Sequence, residues 1–293
     1  MISIALATYN GEEFLREQLD SVLNQTFQDF EIIVCDDCST DHTLAILEEY
    51  KKRDARITVY QNDYNLGYIK NFEKAIRYCK GEYIALCDQD DRWVPEHLSI
   101  LLNIIGDKPI ACGNARFIDK YGNSLHSNLI DRDNLVIPLK SEIDLLYRLF
   151  FYRNTFQGAS MLINRKFIEV ALPIPEVAKY HDLWLSILSC MYGGLAFTSE
   201  IVNEYRQHGN NYSNSSEKGT NRYKHFCYTL LINVYSDYRM DIINELLSGR
   251  FVFADKYVEQ IRIFKEKLIN ARSLYGRIMN IPFLITHFKE IYC

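Results

Sequence analysis

The sequence predicts an α/β fold, a mainly parallel sheet flanked by helices, with a helical C-terminal extension. Two observations carry this. Strand candidates at 2–8, 30–36, 57–61, 83–88 and 109–118 alternate with amphipathic stretches near 12–25, 41–53, 68–79 and 95–106. That is the rhythm of βαβ units. Polar clusters also fall at the carboxyl ends of three of these strands, at Thr8-Tyr9-Asn10, Asp36-Asp37 and Asp88 to Asp91. Parallel sheets gather their ligands at those ends.

Taken in order, the run Ile2-Ser3-Ile4-Ala5-Leu6-Ala7 is strand-like and has no charged n-region, so a signal peptide is not expected. Tyr83 to Cys87 is apolar throughout, as in a strand covered on both faces. Tyr121-Gly122-Asn123 reads as a tight turn, and 124–140 as a polar loop long enough to be a mobile lid. A helix is expected at 141–151 and a strand near 158–164. His181 to Tyr192 reads as a helix with Leu183, Trp184, Ile187, Leu188 and Met191 on its inner face, closed by Gly193-Gly194. A strand at 195–206 follows, and from about 221 the pattern is helical, with a break at Ser248-Gly249.

Composition narrows the function classes. Of 293 residues 48% are hydrophobic, ample for a core. The formal charge of −5 is uneven: residues 1–213 hold 21 basic against 30 acidic side chains, and 214–293 hold 12 against 8. An acidic body argues against nucleic acid as the main partner. The basic tail hints at an anionic surface. No apolar stretch reaches the roughly 18 residues that span a bilayer. The eight cysteines are scattered, several inside apolar runs, as reduced core thiols of a cytosolic protein would be. Cys35-Asp36-Asp37-Cys38 has C-x-x-C spacing without a second pair for zinc, which leaves redox chemistry as its functional alternative. Sequons at Asn24, Asn211 and Asn214 carry no meaning in such a compartment.

The sharpest chemical signal is Cys87-Asp88-Gln89-Asp90-Asp91-Arg92-Trp93. Asp88 and Asp90, at i and i+2, project to one side and can converge on one ligand. Carboxylates so close repel unless a cation lies between them, and oxygen ligands favour magnesium or manganese beside a substrate phosphate. The alternative is a solvated acidic turn ahead of a helix, with Pro95 in its first turn. A Gly-x-Gly-x-x-Gly fingerprint after the first strand and a Walker A loop are both absent, which disfavours dinucleotide enzymes and P-loop NTPases.

Seven stretches in order then resemble the family 2 glycosyltransferases of GT-A fold, over roughly residues 1–213. They are Ala7-Thr8-Tyr9-Asn10-Gly11, Leu23-Asn24-Gln25-Thr26, Asp36-Asp37-Cys38-Ser39-Thr40-Asp41, Asn65-Leu66-Gly67, Asp88-Gln89-Asp90-Asp91, His181-Asp182-Leu183-Trp184 and Tyr205-Arg206-Gln207-His208. The Cys-Asp-Gln-Asp-Asp-Arg-Trp form looks most like the rhamnosyltransferase-like bacterial branch of surface polysaccharide synthesis. The resemblance implies a GT-A catalytic domain at 1–213 (a nucleotide-sugar half at 1–118, an acceptor half at 119–213) and a helical extension at 214–293. It implies an inverting enzyme that takes a sugar from a UDP- or dTDP-sugar to a hydroxyl of a glycan or lipid-linked glycan, with Mn2+ or Mg2+. Residue by residue, Tyr9 would stack on the base, Asp36 would accept from its ring N–H, Asp88 would hold the ribose or the metal, and Lys70 would reach the phosphates. Asp90, or Asp91 in its place, and His208 would ligate the metal. Asp182 would be the base. The family has Gly where this chain has Cys38; a turn with φ > 0 would strain Cys by about 1 kcal/mol or more, so a slightly different turn is expected.

The tail mixes Arg and Lys with Ile, Phe and Leu from Ile261 to Ile278. It reads either as an amphipathic surface helix at the inner face of the membrane or as helices packing on the body or in a homodimer. The rival functions are a polyprenyl-phosphate glycosyltransferase of the same fold and a non-catalytic nucleotide-sugar-binding protein.

Overall fold

A computed structural model describes residues 1–209, 237–270 and 279–288. Asn211, Asn214, Cys227, Cys293 and the 271–278 part of the tail lie outside the described residues. The chain divides into two compact units. The first comprises Met1–Leu129, Phe156–Ile174 and Leu195–Ser216; the second comprises Ile130–Thr155, Pro175–Gly194 and Glu217–Cys293.

The first unit is built on one sheet. Its strands are β1 (Ile2–Thr8), β2 (Phe30–Asp36), β3 (Ile57–Gln61), β4 (Tyr83–Asp88), β5 (Arg92–Trp93), β6 (Ile110–Ile118), β7 (Ser124–Asn128), β8 (Met161–Asn164) and β9 (Leu195–Arg206). The spatial order is β3-β2-β1-β4-β8-β6-β9-β5, with β7 paired to β6. From β3 to β4 all pairs are parallel, whereas β8 runs antiparallel to both of its neighbours. The helices α1 (Leu15–Leu23), α2 (Thr43–Arg53), α3 (Tyr68–Tyr78) and α4 (His97–Ile105) are the crossovers, as the alternation required. β1 is central and buried almost throughout, because its Ile, Ala and Leu side chains are covered on both faces. α3 begins where Asp37 accepts from the backbone N–H of Leu66 and Gly67, and Gly67 sits at φ +79°, a conformation that costs glycine little.

The expected 124–140 lid is not a loop. Residues 124–128 pair with β6, and a short helix, α5 (Leu129–Asp133), follows with Leu129, Asp133 and the nearby Leu135 buried. β7 exposes most of its side chains, so no apolar alternation announces it.

The second unit contains α6 (Glu142–Phe151) and α8 (His181–Met191), together with α9 (Asp237–Leu246), α10 (Asp255–Asn270) and α11 (Ile281–Thr286); α7 (Arg165–Ala171) belongs to the first unit. Ser141 and Asp144 close a reciprocal capping box on α6. α10 buries Tyr257, Ile261, Phe264 and Leu268, spaced by one helical turn. Phe264 lies 4.8 Å, 5.3 Å and 5.1 Å from the rings of Tyr147, Phe150 and Phe151 on α6. Each such side chain contributes about 1.5–3 kcal/mol by burial. The apolar stripe of α10 is therefore packed inside its unit. No helix among the described residues is long and apolar enough to cross a membrane.

Candidate donor and metal site

β1 and β2 end together, with Thr8 in register with Asp36. Asp36 is fully buried. Its Oδ1 accepts from Thr8 Oγ1 (3.0 Å) and Ser39 Oγ (2.5 Å), and its Oδ2 accepts from Ser39 N (3.0 Å). Ser39 Oγ also accepts from Asn10 N at 2.9 Å, so the two loops are tied. Beside them the Tyr9 ring stands 49% exposed, open to a stacking partner. Cys38 takes φ +65° after all, the glycine-like turn, and its thiol donates to Asn62 O at 3.1 Å. The altered turn expected there does not occur. Burial pushes the Cys35 thiol up to about 12, and desolvation with Asp37 and Asp36 raises that of Cys38. Neither is held as a reactive thiolate, and the described cysteines are free thiols.

Asp37 is spent on the fold, accepting from Asn62 Nδ2 (2.7 Å), Leu66 N (2.7 Å) and Gly67 N (2.8 Å). Lys70, expected at the phosphates, pairs with Glu73 at 3.1 Å and donates to Ile174 O at 3.2 Å.

β4 runs parallel to β1 and brings Asp88 opposite Ala7. In the next turn Gln89 clamps the Tyr9 backbone: Oε1 accepts from Tyr9 N (2.8 Å) and Nε2 donates to Tyr9 O (3.0 Å). Asp90 Oδ2 lies 2.9 Å from His208 Nε2. The expected alternative ligand, Asp91, is turned inward and fully buried, accepting from Asn203 Nδ2 (2.7 Å) and Arg206 N (3.0 Å). Burial first, and the Asp90 charge second, push its carboxyl up to about 8.

From the sequence Arg206 stands only within the Tyr205 to His208 stretch, with no role of its own. Only 1% of its side chain is exposed. It donates through Nε to Asp90 O (2.8 Å), pairs with Glu17, and reaches Lys120 O (3.3 Å). Its guanidinium lies 4.8 Å from the Phe14 ring centroid, and Phe14 in turn packs on His208 at 4.9 Å. Arg92 adds a bridge between Glu17 and Glu204. The signal was an arginine two residues before the histidine, at a strand end.

Among the described residues no group of three His, Cys, Asp or Glu stands ready around a cation. The Asp90–His208 pair nevertheless fits one. Its 2.9 Å separation is what adjacent ligands of one octahedral ion show, about 3 Å for bonds near 2.1 Å. A diphosphate would supply further oxygens.

In the second unit, Asp182 sits in the first turn of α8, half-buried, with Oδ1 accepting from Leu183 N at 2.7 Å. His181 beside it is buried, which pushes its imidazole down to about 3 and keeps it neutral. Trp184 is fully buried and packs against Phe251.

The model of Glycosyl transferase family 2 matches residues 3–170, more than half of the chain. The chain belongs to this family. This family 2 glycosyltransferase has the GT-A fold. It is similar to Staphylococcus aureus TarS in complex with UDP-GlcNAc, with a TM-score of 0.63 at 18% identity over 96% of this chain and 75% of that one. It is similar also to the Pyrobaculum calidifontis mannosyltransferase PcManGT in complex with GDP-Man and Mn2+, with a TM-score of 0.60 at 14% identity over 97% and 75%. In sequence it is 27% identical to the Escherichia coli UDP-Glc:alpha-D-GlcNAc-diphosphoundecaprenol beta-1,3-glucosyltransferase WfaP, over 70% of this chain and 76% of that protein. The chain spans from 66% to 85% of the length of the first curated relatives it matches.

Proposed function

We propose that this glycosyltransferase moves a hexosyl or rhamnosyl residue from a UDP- or dTDP-sugar, with inversion, to a hydroxyl of a lipid-linked glycan in surface polysaccharide synthesis. The observation that carries the reading is the Asp90–His208 pair at the strand ends, in the same unit as the exposed Tyr9 ring and buried Asp36. Tyr9 offers a face for the base. Asp36, fully buried and held by Thr8 and Ser39, would accept from the base's ring N–H. Asp90 and His208 would hold the cation, Asp88 the ribose or the same cation. Imidazole beside carboxylate favours manganese over magnesium. Such a cation, when bound, neutralises charge developing on the leaving diphosphate.

Asp182 takes the acceptor's proton in this reading. A single carboxylate base that deprotonates the acceptor implies direct displacement with inversion. Lys70 is already paired within its unit, so its part at the phosphates is secondary. A lipid-linked acceptor would bring the chain to the cytoplasmic face of the membrane. The stripe of α10 is buried, so contact would fall to exposed tail residues such as Met279 and Ile285.

The test is transfer from UDP-Glc, UDP-GlcNAc and dTDP-rhamnose to a synthetic lipid diphosphate–GlcNAc acceptor, with manganese or chelator present. Manganese-dependent product of inverted anomeric configuration supports the proposal. Retained configuration, or donor binding indifferent to chelator, overturns the mechanism.

A further inference from the structure

Gln89 lies between two carboxylates of the donor site, yet its amide is directed elsewhere. It takes both backbone groups of Tyr9, accepting from N at 2.8 Å and donating to O at 3.0 Å, across 80 residues of chain. A second feature is built around the same amide. A Cβ on Gly11 would come within 2.3 Å of Gln89 Oε1 and 2.6 Å of its Cδ, and its three nearest atoms all belong to Gln89. Gly11 is not among the glycines of positive φ. Its missing side chain is therefore explained by room for the amide rather than by the backbone.

We propose that Gln89 is the positioning residue that locks the nucleoside platform at Tyr9 onto the turn bearing Asp88 and Asp90, an inference that rests on the donor reading above. The Tyr9 ring is half exposed and its loop projects beyond β1. On one side Asn10 N donates to Ser39 Oγ; on the other the Gln89 clamp fixes the peptide groups that aim the ring. Base stacking and diphosphate capture are thereby held in one rigid relation, as pre-organised binding requires. Gly11 serves the clamp by leaving its space open.

Uridine is the deciding probe, because it lacks the phosphates that engage the metal arm. Gln89→Ala should weaken both uridine and UDP by about tenfold, the scale of one to two lost hydrogen bonds, measured by ligand-observed NMR and calorimetry. Gly11→Ala should have the same effect, since its methyl evicts the amide while Gln89 remains. The double variant should bind no more weakly than either single one, because the methyl then displaces nothing. Unchanged uridine affinity in Gln89→Ala, or losses that add in the double variant, would overturn the proposal. Wild-type protein that binds none of uridine, UDP, thymidine and dTDP would instead sink the donor reading itself, before any variant is compared; where only the thymidine pair binds, it replaces the uridine pair as probe.

Discussion

His208 Nε2 meets Asp90 Oδ2 at 2.9 Å although 118 residues separate them. Two strands create this pair: Asp90 follows β4, and His208 follows β9. Asp90 is no part of the apolar core, whereas the His208 side chain is 11% exposed and packs on Phe14, so removing the imidazole opens space that removing the carboxylate does not.

Asp90→Ala should therefore leave the urea midpoint near wild type, His208→Ala should lower it through the lost Phe14 contact, and both should reduce UDP affinity in manganese to its value in chelator. Asp91→Ala should do the reverse of Asp90→Ala. It would strand the buried Asn203 amide and the Arg206 N–H, a cost of about 1–3 kcal/mol for each unsatisfied group. Calorimetry with and without manganese, alongside urea unfolding, separates the two outcomes. Unfolding of Asp90→Ala or lost manganese response in a stable Asp91→Ala would reverse the assignment.

Asp182→Asn should keep donor binding and lower transfer by about 10²–10⁴-fold, the range for a lost general base. The amide retains the oxygen that accepts from Leu183 N but cannot hold a proton from the acceptor. Steady-state transfer and UDP titration measure both quantities. Transfer within a few-fold of wild type would place the base elsewhere.

The alternation of the first 118 residues was legible because buried parallel strands and amphipathic helices each print a period on the sequence. The carboxyl-end clusters followed from that topology, and with them the strand-end positions of Asp36, Asp88 and Asp90. What stayed hidden depends on partners remote in sequence. Arg206 stands in the sequence only as part of its motif, and its task shows once Glu17 and the Asp90 carbonyl close around it. Asp91 looks like its neighbours, and only the approach of β9 turns it into an internal acceptor. β7 left no trace because its pairing uses backbone while its side chains face water. The positive φ at Cys38 went against residue preference: Sγ gains a partner in Asn62 O, and tertiary context outweighs about 1 kcal/mol of local strain.

Arg206 gives a third prediction. Arg206→Lys keeps a charge but not the planar fork that serves Asp90 O, Lys120 O and Glu17 together. Lys should fail to rescue what Ala loses. Both should weaken manganese-dependent UDP binding by about tenfold, the lower end for partners that orient metal ligands. Arg206→Ala should also lose about 2 kcal/mol of stability, less than a fully buried pair because Glu17 is partly in water. Manganese titration of the two variants is the measurement, and a Lys variant equal to wild type would reduce Arg206 to a plain charge.

The last prediction concerns acid. His97 is fully buried on α4, stacked on Trp93 at 3.8 Å, with Nδ1 2.9 Å from Val202 O. Burial holds its imidazole down at about 3, against the Val202 hydrogen bond that works the other way. In the unfolded chain the same ring titrates near 6.5. Above that value both states carry a neutral ring and the group leaves stability untouched. Below it the unfolded state binds the proton first, so stability falls as pH drops and continues to fall toward the folded value near 3. Between pH 7 and pH 5 this one ring should cost about 2 kcal/mol. His97→Gln keeps a donor for the Val202 carbonyl and cannot charge. Its urea-unfolding free energy should thus decline less than that of wild type over the same interval, by about that amount. Parallel pH profiles for the two proteins would show that His97 takes up its proton in the folded state, which the closed stack on Trp93 does not permit.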